Sequence, residues 1–220
     1  MKAHVADGGR GRLSGRVITL SAALFLAGTA GAQCLTSEFG VPGEFLGAQD
    51  GRSVAVDGDL LVVGAPYSTE SLGAPQSGAA FVFERRSGDW VQTARLAPDD
   101  AAQAQRFGWS VAISGERIAV GAPWDPLYTH QSFPPGAAYL FERTGDAWAQ
   151  TAKVVGSGAE ANAMLGWSVA LDGDVLAVGG PLQVALGSGA TGRVWIFERA
   201  GAAWHEVLGL SGLWSAAWFG

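Results

Sequence analysis

"SVAISGERIAVGAP", Ser110 to Pro123, reads as a strand, a tight turn and a second strand. The same text stands 57 residues earlier as "SVAVDGDLLVVGAP", Ser53 to Pro66, and 58 residues later as "SVALDGDVLAVGGP", Ser168 to Pro181. A second text follows each copy: "GAAFVFERRSGDW" (Gly78–Trp90), "GAAYLFERTGDAW" (Gly136–Trp148) and "GRVWIFERAGAAW" (Gly192–Trp204). Self-similarity at a fixed period marks a repeat architecture, and it takes precedence over any local reading.

Each copy predicts four strands. Ser-Val-Ala opens the first. Asp57-Gly58, Ser114-Gly115 and Asp172-Gly173 supply the turn, where glycine adopts a positive φ without cost. "LLVVG", "RIAVG" and "VLAVG" form the second strand. The third carries Phe81/Phe83, Tyr139/Phe141 and Trp195/Phe197 at period two, with apolar Val82, Leu140 and Ile196 between them. A strand apolar on both faces needs cover on both faces. Trp90, Trp148 and Trp204 open the fourth strand. Four-stranded antiparallel units that need two-sided cover describe propeller blades, which cover one another by radial packing. A β-helix repeats at a much shorter period, and helical solenoids need helices that this text lacks. A two-sheet sandwich is the remaining rival, but it has no reason to repeat so regularly. The predicted fold is all-β: a partial β-propeller of about three blades, open because the chain ends early.

Composition agrees. Of 220 residues, 48% are hydrophobic and only 15% charged, which favours a folded core over disorder. The 33 glycines and nine tryptophans suit many tight turns between aromatic-rich strands. Residues 1–32 stand apart. Lys2, Arg10, Arg12 and Arg16 precede the apolar "VITLSAALFLAG" (Val17–Gly28), and "AGA" (Ala30–Ala32) closes the segment. This is a secretory signal pattern with cleavage expected between Ala32 and Gln33. The apolar run is well short of the ~20 residues that span a bilayer. Cys34 raises a lipid anchor as an alternative, but Gln33 stands where a lipoprotein signal needs a small residue. Without residues 1–32 the chain has a net charge of −9, which disfavours nucleic acid and anionic lipid as partners. A single cysteine excludes a disulfide framework within one chain.

"RFGWSVAISGERIAVGAP", Arg106 to Pro123, pairs Phe107-Gly108 with Gly121-Ala122-Pro123. It resembles the FG-GAP repeat, the unit of the integrin alpha-chain amino-terminal propeller and of many secreted bacterial proteins. The third copy keeps the pattern as Leu165-Gly166 and Gly179-Gly180-Pro181. The first keeps Gly64-Ala65-Pro66 but has Asp50-Gly51 in place of Phe-Gly. The resemblance covers residues 50 to 220. It implies a seven-bladed propeller with surface binding or adhesion roles, and in many members a calcium ion held by an Asp-rich loop. The predicted organisation is a signal peptide at 1–32, a lead-in segment at 33–49, and repeats at 50–106, 107–164 and 165–218. Residues 219–220 open a fourth repeat, so further blades of a longer chain are expected.

Catalytic chemistry is not visible. Gly-Trp-Ser at 108–110 and 166–168 lacks the closing glycine of a nucleophile elbow, and a catalytic serine has no reason to recur; a serine bonding nearby backbone is the simpler reading. Only His130 and His205 follow residue 32, neither beside a recurring acid, and a triad needs all three groups together. His205 is expected on a solvated strand. The inter-strand loops at 67–77, 124–135 and 182–191 offer only Glu70, Asp125 and no acid, respectively. Calcium takes six to eight oxygen ligands. No calcium or other cofactor is therefore expected, and Asp57, Asp59, Asp172 and Asp174 read as turn residues. The Glu-Arg pairs within "FER" are expected to salt-bridge toward the neighbouring blade or water.

Variation concentrates in those loops, and loops on a rigid scaffold are where binding usually resides. "WDPLYTHQSFPP" carries Trp124, Tyr128, His130 and Phe133, a possible contact set for protein or carbohydrate, or else a self-packed loop. Three functional classes remain open: an exported, non-enzymatic binding or adhesion propeller at or outside the cell surface, the preferred reading; part of a secreted propeller enzyme, a glycan hydrolase or lyase, with its active site in other blades; or a purely structural surface repeat protein.

Overall fold

The computed structural model describes residues 51–69, 75–125, 135–183 and 191–211. The expected signal segment, Cys34 and residues 219–220 lie outside them. The described residues form twelve strands and, among them, no helix. Sheet 1 comprises β1 (Ser53–Asp57), β2 (Leu60–Ala65), β3 (Ala79–Arg86) and β4 (Asp89–Leu96). Sheet 2 comprises β5 (Ser110–Ser114), β6 (Arg117–Ala122), β7 (Ala137–Thr144) and β8 (Ala147–Val154). Sheet 3 comprises β9 (Ser168–Asp172), β10 (Val175–Gly180), β11 (Arg193–Ala200) and β12 (Ala203–Ser211). Each is an antiparallel meander in chain order. The three sheets form an open partial propeller.

The first hairpin turn sits one residue later than its text predicts. Asp57 pairs with Leu60, so Gly58 and Asp59 are the central residues. Gly58, Gly115 and Gly173 have φ near +55° (57°, 56° and 54°), the requirement at the first position of a type II′ turn. The third and fourth strands of every sheet share a register shift, between Val82/Phe83, Leu140/Phe141 and Ile196/Phe197. A bulge repeated at one position bends each outer edge in the same sense.

Two apolar layers join the sheets. Between sheets 1 and 2, Val62, Ala80, Val82 and Leu96 meet Val111, Ile113, Ile118, Val120, Tyr139 and Phe141. Between sheets 2 and 3, Ala112, Ala119, Leu140 and Val154 meet Leu176, Val178, Trp195 and Phe197. The two-sided apolar third strand is thereby accounted for: its odd and even residues serve different joints.

The Phe-Gly and Gly-Ala-Pro texts are the two halves of one joint. Phe107 enters between sheets 1 and 2, fully buried, and its backbone bridges Gly78. Its ring stands edge-on to Tyr139 at 5.4 Å and Phe141 at 5.8 Å. Leu165 repeats this insertion against Gly136. The carbonyl of Gly108 then lies so close to Gly64 that a Cβ there would overlap it, and the carbonyl of Gly166 does the same to Gly121. Ser53 Oγ donates to Gly108 O at 3.0 Å and Ser110 Oγ to Gly166 O at 2.8 Å. The recurring serine is thus a backbone lock between sheets. Glycine is required at 64 and 121 because the next repeat's backbone occupies the space of a side chain.

A candidate binding face at the loop end of the sheets

The two ends of the stack differ in kind. One end carries only hairpin turns, and many of its charges pair within and across the sheets. Gly115 N donates to Asp57 Oδ2 at 2.6 Å, and Gly173 N to Ser114 Oγ at 3.0 Å, so Asp and Ser do the same turn work. Arg143 reaches Glu84 of the preceding sheet at 3.7 Å, and Arg199 reaches Glu142 at 3.0 Å. The "FER" pairs therefore bridge sheets. Arg86 first, then Arg143, hold the Glu84 carboxyl below its ordinary range against the opposing pull of desolvation. The cleft here, lined by Ser114, Glu116, Arg117, Glu142 and Arg143, has both its arginines spent: Arg117 on Glu142 at 3.4 Å and Asp174 at 3.2 Å, and Arg143 on Glu84.

The other end carries the variable loops and the crossings from outermost to innermost strand. The residue before each first strand is Arg52, Trp109 or Trp167, and the residue after each Gly-x-Pro is Tyr67, Trp124 or Leu182. Three of these assemble. Trp109 lies 4.7 Å from Trp124 and 4.8 Å from Trp167, and Trp124 lies 5.9 Å from Trp167. All three are half-buried. The Arg52 guanidinium lies 4.2 Å from the Trp109 ring centre, and that of Arg106 lies 4.0 Å from the Tyr67 ring centre. Indole faces flanked by guanidinium offer stacking area with donors at its rim.

Of the four aromatic-loop residues singled out from the sequence, Trp124 is in this cluster; Tyr128, His130 and Phe133 lie outside the described residues. Sequence reading passed over Trp109 and Trp167 because they sit in the scaffold text. The available signal was Arg52 in the first copy, a change of residue class within a constant stretch. His205 is exposed on β12, as expected.

A second cluster at this end runs from the interior to the surface, where Asp100 is exposed. Asp125, Gln105 and Tyr139 are fully buried. Lys153 Nζ lies 2.6 Å from both Asp125 Oδ1 and Asp100 Oδ2. Tyr139 OH donates to Asp100 at 2.7 Å, and it also bonds Asp125, as does the Gln105 amide. Burial raises the Asp125 carboxyl above its ordinary range even though Lys153 and Tyr139 pull it down. Burial raises the Tyr139 phenol too, and the adjacent Asp125 and Asp100 raise it further. Lys153 is raised because its carboxylate partners outweigh desolvation, and Asp100 is lowered because Lys153 and Tyr139 outweigh its own.

The other sheets solve the same position differently. Ser68 and Gln183 replace Asp125, and Phe81 and Trp195 replace Tyr139. Arg95 replaces Lys153 and bonds Ser68 Oγ at 3.1 Å. In sheet 3 the fourth-strand cation becomes Gly209, and Arg193 of β11 fills the space that a Cβ there would need. Gln105 Oε1 accepts from Ala102 N at 2.9 Å; in the next linker Ala163 replaces Gln105, and Gln183 Oε1 accepts from Glu160 N at 3.0 Å. One polar plug is built from different residues in each copy, which marks it as a structural part. The cluster does not fit a calcium ion: the Lys153 ammonium stands between the two carboxylates where a cation would bind. Among the described residues no three His, Cys, Asp or Glu side chains group as metal ligands.

No curated protein matches this chain. A family model described as the FG-GAP repeat matches residues 47–83, 90–141 and 148–197, more than half of the chain. The second and third matches each run from the outermost strand of one sheet to the third strand of the next, so what the family model spans is the joint between sheets. With both halves of that joint observed twice, the chain belongs to the FG-GAP repeat family.

Proposed function

We propose that this chain is an exported, non-enzymatic binding scaffold, whose ligand-contacting face is the loop end centred on Trp109, Trp124 and Trp167. The observation that carries this reading is the contrast between the ends. At the hairpin end Arg86, Arg117, Arg143 and Arg199 are matched to carboxylates within the stack. At the loop end three half-buried indoles gather where the variable segments leave the sheets. Large aromatic side chains supply the most contact energy per residue in binding surfaces. The non-enzymatic part is supported by the Asp125–Asp100 pair, in which Asp125 is fully buried and both carboxylates are tied to Lys153 and Tyr139. Export rests on the signal pattern of residues 1–32, and amino-terminal sequencing of the exported product should begin at Gln33. Retention of Met1, or a lipid on Cys34, would count against it.

The binding test is an array of glycans and extracellular proteins probed with the full chain and with Trp124→Ala and Trp167→Ala. Bound spots should weaken at least about tenfold in both variants, a hot-spot loss, with the far-UV circular dichroism unchanged. Equal binding by all three proteins would place the ligand site elsewhere, and turnover of any arrayed glycan would refute the non-enzymatic reading.

A further inference from the structure

Arg52 and Arg106 are two cations of the loop end that the scaffold does not use. Ser53 Oγ donates to Gly108 O at 3.0 Å, which brings Arg52 and Arg106, one residue before Ser53 and two before Gly108, to the same joint between sheets 1 and 2. Arg52 lies over Trp109 at 4.2 Å and Arg106 over Tyr67 at 4.0 Å. A guanidinium meets a ring with its face while its N–H donors lie in its plane, so these contacts leave the donors unspent. Neither arginine forms an ion pair among the described residues. Nη1 of Arg106 is buried without a hydrogen-bond partner, and so is Nε1 of Trp109. Burial pulls the Arg106 guanidinium below its ordinary value, against the opposing effect of Tyr67. A buried charge costs free energy unless it is paired. Position in the repeat also separates these two from the structural arginines. Arg85, Arg143 and Arg199 recur once per copy. Arg52 instead stands where the later copies have Trp109 and Trp167, and Arg106 where the next linker has Met164. Met164 holds the same left-handed backbone, φ 57° against 61°, so the joint forms without a cation there.

We propose that the loop end captures a carboxylated glycan: a uronate oligomer whose carboxylates take the free edges of Arg52 and Arg106 while its sugar rings lie on Trp124 and Trp167. This rests on the binding face proposed above and names its ligand class. A guanidinium edge matches a carboxylate with two parallel bonds. A pyranose has an apolar C–H face with polar groups at its rim, which suits an indole platform edged by donors. An acidic peptide fits less well, because the strands end here in loops and present no sheet edge for backbone pairing. The acidic balance of the chain does not oppose the capture at short range. The carboxylates of the hairpin end lie a strand away, about 16 Å for the five residues of β1, and the screening length is about 8 Å at physiological salt.

The test is isothermal titration calorimetry of the full chain with oligomers of galacturonate, of mannuronate and of glucuronate, each beside its carboxyl-reduced neutral form. At least one uronate oligomer should bind, and its neutral form at least about tenfold more weakly. Arg52→Gln and Arg106→Met should each weaken the uronate at least about tenfold and leave the neutral form unchanged. Arg52 is exposed, and methionine is the residue of the next linker at the position of Arg106, so the fold persists, which far-UV circular dichroism checks. No binding of any uronate oligomer, equal affinity for the reduced forms, or tighter binding of polyglutamate or of a sulfated neutral glycan would each overturn the proposal. A neutral oligomer bound through Trp167 but indifferent to both arginines would overturn this ligand class and leave the tryptophan-centred face standing. Uronate binding lost with the arginines but unchanged in Trp167→Ala would refute that face, and the stacked pose with it.

Discussion

Phe107 is the residue on which the joint between sheets 1 and 2 turns, and its replacement gives a graded test of the fold. It is fully buried and touches two aromatic rings edge-on, at 5.4 Å and 5.8 Å. Phe107→Ala removes a buried ring from between two sheets that cannot collapse onto the gap without breaking the Phe107 N–Ser77 O bond at 2.8 Å. Buried Phe→Ala substitutions cost about 3–5 kcal/mol. Edge-to-face pairs add about 0.5–1.5 kcal/mol each beyond burial, which places this site near the upper end. Phe107→Leu is the control, because Leu165 fills the same position in the next joint, buried to the same degree. It keeps most of the apolar contact and loses the ring pairs, so about 1–2 kcal/mol is expected. The assay is urea unfolding followed by far-UV circular dichroism. With a denaturant slope of about 2 kcal/mol per molar, Phe107→Ala should lower the midpoint by roughly 2 M and Phe107→Leu by less than about 1 M. A loss below about 1 kcal/mol for the alanine variant, or equal losses for both, would refute the view that this side chain holds the joint by filling it.

Gly121→Ala should destabilise by about 3 kcal/mol, the upper range for overpacking, since the new methyl meets the Gly166 carbonyl and Ser110 Oγ; unchanged thermal stability would show that the repeats can move apart freely. At alkaline pH the stability should fall. Lys153 and Tyr139 are both raised above their ordinary values, so the unfolded chain releases these protons first. Their contribution is therefore full below about pH 10 and is lost as pH rises toward the folded values. Thermal melts between pH 9 and 12 should show a steeper decline for the wild type than for Tyr139→Phe, whose new residue the first copy already carries as Phe81. Parallel declines would mean that the phenol does not contribute.

The repeat text was sufficient to specify the sheets. Alternating apolar residues around Phe81, Tyr139 and Trp195 can be satisfied only by cover on two faces, and Gly58, Gly115 and Gly173 close hairpins through local backbone geometry alone. Those are short-range constraints, and short-range constraints are written in sequence. The purpose of Phe107-Gly108 and of Gly64 or Gly121 is not, because each half makes sense only when the other, more than 40 residues away, arrives beside it. The same holds for the assembled tryptophans. Trp109, Trp124 and Trp167 come from three segments and two sheets, and nothing along the chain relates them until the inner strands pack side by side. Asp125 read from sequence as a lone loop acid; in the fold it is the buried centre of a plug whose other members come from the preceding linker, β7 and β8. Hydrophobic period and turn chemistry are properties of neighbours in the chain, whereas a binding face and a polar plug are properties of neighbours in space, which only the stacking of one sheet on the next creates.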